Sequence, residues 1–168
     1  YQAVPAYTMN PPGFPGENVD ELKNAQSYDP ALAASLMEQA GYPGGAGFPK
    51  LTLYTREAHP ALLSTAEAVA AMIKENLGVT VEVQDLEYSI YMESMYKQKR
   101  EKGGDFLFGM VPYEFDFVDG SNLLSVWGGC EAEGADLSAM PGRHTWYNQE
   151  YNNLLCEAGV IFGDEDQR

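Results

Sequence analysis

Apolar positions along this chain recur at helical spacing, then at alternating spacing, and the two rhythms take turns. Leu32, Ala33, Leu36, Met37 and Ala40 step by three and four behind Asp29 as an N-cap and Pro30 at the first helical position, and Gly41 ends the run. This predicts a helix to about residue 40. Pro43-Gly44-Gly45-Ala46-Gly47-Phe48-Pro49 is loop chemistry, and Leu51-Thr52-Leu53-Tyr54-Thr55 alternates as a strand does. From Pro60 to Leu77 the set Leu62, Leu63, Ala66, Val69, Ala70, Ile73 and Leu77 marks a second amphipathic helix, with Gly78 placed as its left-handed C′ residue. Val79, Val81 and Val83 then alternate with polar residues as a second strand. A third helix from Tyr88 to Lys99 sets Tyr88, Tyr91, Met92, Met95 and Tyr96 on one side.

The run Asp105-Phe106-Leu107-Phe108-Gly109-Met110-Val111 is too short for a typical helix and predicts a strand buried on both faces. It empties into Pro112-Tyr113-Glu114-Phe115-Asp116-Phe117-Val118-Asp119-Gly120-Ser121-Asn122, a loop both aromatic and acidic. Strand, helix, strand, helix, strand predicts an α/β fold with parallel strands side by side, because right-handed helical returns are the connections that pack back onto a twisted sheet. Ligands of such sheets sit beyond the carboxyl ends of the strands, here the loops Arg56–Pro60, Asp85–Tyr88 and Val111–Ser121. A helical turn near Ser121–Val126, a Gly- and acid-rich loop over Gly128–Arg143, a last helix over Asn148–Ala158 and a fraying acidic tail complete the reading. Ahead of all this, residues 1–27 carry Pro5, Pro11, Pro12, Gly13, Pro15 and Gly16 with little periodicity, so they read as an extended linker or docking arm rather than a helix. Residues 28–168 read as a single lobe.

Composition narrows the partners. The 168 residues, 45% hydrophobic and 21% charged, suit one folded core. Twenty-five acidic against ten basic residues give a formal charge of −15, which repels phosphate backbones and excludes nucleic acid as a natural partner. No stretch reaches the roughly 20 apolar residues of a membrane-spanning helix. The start Tyr1-Gln2-Ala3-Val4-Pro5 has neither a basic leader nor an initiating Met, so the sequence reads as a piece of something longer. Cys130 and Cys156 lack the spacing of a zinc or redox motif, and either pair in a disulfide or stay as free thiols. No cofactor or metal is expected. His59 and His144 have no companion motif and read as solvated loop residues; Ser64 and Ser125 lack a nucleophile elbow, and Asp116–Asn122 lacks the oxygen spacing of a calcium loop.

Several phrases resemble the extracellular solute-binding proteins of peptide and nickel ABC importers, family 5, the oligopeptide- and dipeptide-binding type. Tyr28-Asp29-Pro30-Ala31-Leu32-Ala33 with Leu36-Met37-Glu38-Gln39-Ala40-Gly41-Tyr42 resembles that family's Tyr-Asp-Pro-x-x-Ala followed by Leu-Leu-x-x-Ala-Gly-Tyr. Asn76-Leu77-Gly78-Val79-Thr80-Val81-Glu82-Val83 resembles its helix end into a strand, and Trp146-Tyr147-Asn148-Gln149-Glu150-Tyr151-Asn152 its Trp-x-Asn-x-x-Tyr-Asp. The resemblance implies the C-terminal lobe of a type II periplasmic-binding-protein fold, an open three-layer lobe that closes with a missing first lobe around an extended peptide. It implies delivery to membrane permease subunits of an ABC importer, and a periplasmic or extracellular place, with lipid anchoring at the cell surface as one mode.

Asp116-Phe117-Val118-Asp119-Gly120-Ser121-Asn122 is similar to the family's Asp-Tyr-x-Asp-Pro-Ser-Asn, whose first Asp holds the ligand's α-amino group. The resemblance thus makes Asp116 the candidate amine anchor, with Tyr113, Phe115, Phe117 and Trp127 as candidate groove residues. Of the three loop aromatics, one or two are expected to reach the cleft while the others pack inward, and Trp146 is expected to pack. Asp119 is expected to cap the turn at Ser121. Gly120 stands where the family has Pro, and Met110-Val111 where it usually has Trp, which keeps a metal chelate or an oligosaccharide open as the solute. A rival from another class is a three-layer α/β hydrolase or transferase domain whose catalytic partner lies outside this sequence.

Overall fold

A computed structural model of the chain describes residues 5–25, 27–101, 108–110, 112–128 and 146–159, with the side chains of 97–101 left aside. In chain order the elements are α1 (Val19–Leu22), α2 (Pro30–Gln39), a 3₁₀ turn at Pro43–Gly45, β1 (Leu51–Arg56), α3 (Pro60–Leu77), β2 (Val81–Leu86), α4 (Tyr88–Glu101), α5 (Gly120–Leu124) and α6 (Gln149–Gly159). They fall into two compact units, Tyr28–Tyr113 and Tyr1–Ser27 with Glu114–Arg168.

In the unit Tyr28–Tyr113, local chemistry sets each boundary. The Asp29 carboxylate accepts the Leu32 N–H at 2.8 Å, and Pro30 opens α2. α3 ends on Gly78, whose φ of 70° is left-handed and whose N–H donates to the Lys74 carbonyl. Glycine is doubly required there, since a Cβ would stand 2.1 Å from the Gly44 carbonyl oxygen. β1 and β2 pair in parallel from Leu51↔Val81 to Arg56↔Leu86. On the other edge of β1, Tyr54 N–H donates to Phe108 O at 3.0 Å and Met110 N–H to Tyr54 O at 2.9 Å, a parallel bridge centred on Gly109. The rest of the expected strand, 105–107 and 111, lies outside the described residues, as do the loop 129–143, Cys130, His144 and the tail. β1 is therefore central, with β2 on one side and Gly109 on the other. This strand order is the parallel α/β arrangement read from the sequence.

The core of this unit gathers Leu53, Ala66, Val79, Tyr91 and Met95, all buried, with Thr55, whose hydroxyl is satisfied by donating to Asp85 Oδ1 at 2.6 Å. Tyr91 also donates its hydroxyl to Met110 O at 3.1 Å, tying α4 to the third strand position. On α3 the expected stripe of Leu62, Leu63, Ala66, Val69, Ala70, Ile73 and Leu77 is buried or half-buried throughout, whereas the stripes of α2 and α4 are narrower than their periodicity implied. Leu32 and Leu36 are each 54% exposed, leaving Ala33 and Met37 to turn inward, and Tyr88 and Tyr96 remain open while Tyr91 and Met95 are covered. These two helices meet their neighbours along a narrow line, and the apolar residues flanking it stay in water. Val79 packs inward two residues before the β2 ladder begins.

At the start of α4 the Glu87 carboxylate accepts N–H bonds from Ser89 at 2.9 Å and Ile90 at 3.3 Å, and the Ser89 hydroxyl as well. The Ser89 hydroxyl first, and then the backbone donors, hold its acid below the ordinary glutamate value. A depressed carboxylate stabilises the fold above its unfolded value, and that contribution fades as pH falls through the folded one. Glu87→Gln is therefore expected to flatten part of the loss of melting temperature between about pH 5 and pH 3; identical pH profiles for both proteins would show that the cap is idle.

In the other unit the arm is not wholly extended. α1 forms a single turn in which Asn18 donates to Glu21 at 2.9 Å and Lys23 pairs with Asp20 at 2.9 Å, local (i, i+3) contacts that the proline-rich flanks had obscured. α6 packs against α5, and the Tyr151 hydroxyl donates to Leu124 O at 2.7 Å; burial pushes its phenol up, keeping it a donor. Cys156 is disulfide-bonded.

Candidate functional site

The loop leaving the sheet is shaped by short-range hydrogen bonds. Asp119 caps α5, its Oδ1 accepting the Ser121 N–H at 2.9 Å, as Asp-Gly-Ser chemistry predicts. Asn122, only 4% exposed, accepts the Asp116 N–H on its side-chain oxygen at 3.2 Å. The backbone of Asp116 is thus pinned from within while the residue itself is exposed. A carboxylate held this way is open to a cationic partner and has already lost part of its backbone freedom.

Around it the aromatic residues are open. Phe115 is 48% and Phe117 55% exposed, and Val118 beside them 63%. Tyr113, the last residue of the unit Tyr28–Tyr113, is 38% exposed. The expected alternation of inward and outward rings does not occur, because 112–118 joins no ladder and has no sheet face to alternate across. Phe115 is braced edge-on by Phe14 of the arm at 4.9 Å. Trp127 lies in the turn after α5, its backbone N–H donating to Leu124 O at 3.0 Å, and the residue is 39% exposed. Trp146 packs edge-on against Tyr151 at 5.3 Å, in line with a packing role, and is still 48% exposed.

Gly120 explains its own departure from the resembled phrase. A Cβ there would stand 2.8 Å from the Pro15 carbonyl oxygen and 2.6 Å from the Asn10 amide nitrogen, so the arm passes too close for a proline ring. Beneath this contact lies a cavity of about 60 Å³, lined by Asn10, Pro15, Ser121, Leu124 and Leu155 among others. That is far below the roughly 300–1,000 Å³ of a pocket that engulfs a solute.

The sheet end of the unit Tyr28–Tyr113 holds contacts that the sequence did not foretell. Arg56 ends β1 with its guanidinium over the Tyr88 ring, 4.9 Å from the centroid, and donates to Nε2 of the half-buried His59. His59 is therefore more than a solvated loop residue, and must accept at Nε2, since an arginine can only donate. Ala58 between them takes a φ of 67°, the turn that brings His59 back toward Arg56. An arginine stacked on an aromatic face and set at the carboxyl end of a central strand is suited to a carboxylate. The signal lay in Arg56 being the last residue of the strand, masked by Glu57 beside it. Among the described residues no cluster of His, Cys, Asp and Glu could hold a metal ion, and no helix is long and apolar enough to cross a membrane.

Known proteins share this architecture. The family model of bacterial extracellular solute-binding proteins, family 5, matches residues 1–135. The probable deoxycholate-binding periplasmic protein YgiS of Escherichia coli is 27% identical over 162 residues, 94% of this chain and 27% of its own length. The oligopeptide-binding protein OppA of Bacillus subtilis is 28% identical over 167 residues, likewise 94% of this chain and 27% of its own. Among solved structures, the periplasmic binding protein DppA of Helicobacter pylori in complex with the peptide STSA superposes with a TM-score of 0.69 at 22% identity, over 94% of this chain and 28% of that one. The murein tripeptide binding protein MppA of E. coli gives 0.60 at 25%, over 96% and 27%. The chain thus spans about a quarter of the length of the curated relatives it matches, near 27%. With a parallel α/β sheet, a model match over most of its residues and these structural neighbours, the chain belongs to the bacterial extracellular solute-binding proteins of family 5.

Proposed function

We propose that this chain is one lobe of a two-lobed receptor that captures peptides outside the cytoplasm and hands them to the permease subunits of an ABC importer. Residues 28–168 form the ligand-binding lobe, with 1–27 as its docking arm. The observation that carries the reading is the exposed Asp116, its backbone pinned by the buried Asn122 and its neighbours Phe115 and Phe117 open. A carboxylate among aromatic faces suits a peptide's α-ammonium and an adjoining side chain: the charge pair gives orientation, and flat rings accept varied apolar groups. A relative named for oligopeptides, and a neighbour solved with a bound peptide, support the same solute class. The receptor works in the periplasm or at the outer cell surface, where a lipid anchor would keep it near the permease.

A second reading has its own support. One relative is named as a probable deoxycholate-binding protein, and the open faces of Phe115, Phe117 and Val118 would suit a steroid as well as a side chain. Calorimetry of the two-lobed receptor with a pool of di- to pentapeptides and, separately, with deoxycholate decides between them. Saturable peptide binding is expected. Deoxycholate binding without peptide binding would replace the solute class, and turnover of fluorogenic ester or amide substrates would overturn the receptor reading in favour of an enzyme.

A further inference from the structure

Phe14 sits at the joint of two consecutive Pro-Gly turns. Its N–H donates to Pro11 O at 3.0 Å around Pro12-Gly13, and its carbonyl accepts from Glu17 N–H at 3.1 Å around Pro15-Gly16. Gly13 and Gly16 have φ of 87° and 72°, so each turn has proline at its second position and a left-handed residue at its third, the type II form. A Cβ at Gly13 would meet nothing within 4 Å, so at that position the backbone angle alone demands glycine. Two fused turns, each with φ fixed by a proline, leave residues 11–17 little freedom and present Phe14 as a fixed post.

That post meets one loop aromatic. The Phe14 and Phe115 rings lie 4.9 Å apart at 77°, an edge-to-face contact. Phe14 is half-buried, whereas Phe115 leaves 48% of its surface open. The loop that carries Phe115 belongs to no ladder, so backbone pairing does not orient this ring.

We propose that Phe14 is a positioning residue for solute recognition. It holds the plane of Phe115 so that the ring's open surface stands ready as a flat apolar wall next to Asp116, favouring solutes with an aromatic or bulky apolar group beside their ammonium. This rests on the reading of the 113–117 loop as the solute-contacting loop. A ring fixed before binding has no rotamer freedom to lose when the solute arrives, so the advantage is one of preorganisation rather than of new contact.

The test uses the two-lobed receptor, with phenylalanyl-alanine and trialanine as probes. Phe14→Leu keeps the apolar bulk but loses the edge-to-face geometry. Its melting temperature is expected to match the parent's, with phenylalanyl-alanine binding about five- to tenfold weaker and trialanine nearly unchanged. Phe14→Tyr restores binding, and Phe14→Leu adds no further loss in a Phe115→Ala background. A fall in affinity shared equally by both probes, or one that tracks a fall in melting temperature, overturns the proposal in favour of a merely structural contact. If Phe115→Ala weakens binding and Phe14→Leu does not, Phe14 has no positioning role and the receptor reading stands. If Phe115→Ala changes nothing, the wall is not Phe115 and the proposal fails; peptide binding by the parent receptor still decides the receptor reading.

Discussion

Replacing Asp116 by alanine is expected to weaken the binding of a peptide with a free amino terminus by at least about 2 kcal/mol, roughly thirtyfold, in the two-lobed receptor. The carboxylate is exposed and its backbone is already tied to Asn122. An ammonium brought against it therefore gains a charge-assisted pair at little further ordering cost, and the pair strengthens as closure around the solute removes water. Removing the carboxylate leaves the ammonium in a partly dry site without a partner. Blocking the other side of the pair should do the same: an N-acetylated peptide is expected to bind the parent receptor about as poorly as the free peptide binds the variant. The two changes together should not add, because they delete one interaction. Calorimetry on the four combinations checks this, and an Asp116→Ala receptor with parental affinity removes the amine anchor.

Gly120→Pro is expected to destabilise the chain by about 2 kcal/mol, although proline suits the first position of a helix and normally stabilises by restricting the unfolded chain. The clash decides. A ring carbon would have to lie 2.8 Å from the backbone oxygen of Pro15 and 2.6 Å from the Asn10 amide, and while the amide can swing away, the carbonyl moves only with its turn. Asn10→Gly should therefore return part of the lost stability and not all of it. The urea midpoints of the parent, the single variants and the double variant give the answer, and a Gly120→Pro chain as stable as the parent would show that the arm yields freely.

Much of the fold was legible because it rests on local chemistry. Asp29-Pro30 announces α2, Pro60 to Gly78 brackets α3 to the residue, and the valines after Gly78 point to β2, because caps, glycine angles and alternation act within a few residues of their cause. The features missed depend on distant partners. Nothing in the run of Leu32 and Leu36 says that no element covers them, and nothing near Gly120 says that Pro15 lies against it. At the candidate site the acidic aromatic loop could be found by following the strands to their carboxyl ends. The pinning of Asp116 by Asn122, the brace from Phe14 and the Arg56–His59 pair could not, since each joins side chains whose meeting is decided by the turns between them.

The position of β1 between two parallel neighbours also sets an order of assembly. Pairing β1 with β2 joins residues 30 positions apart, whereas the bridge from Tyr54 to Gly109 closes 55, an added chain entropy of about 0.5 kcal/mol before any contact is gained. The β1–α3–β2 crossover unit should then form first, with the last strand position annealing late and the Tyr91 hydroxyl acting as its latch. In pulse-labelled hydrogen exchange the amides of Leu51 and Glu57, which donate to Thr80 O and Leu86 O, would gain protection ahead of those of Tyr54 and Met110, so that the edge from which the 112–119 loop departs is the final part of the sheet to become rigid.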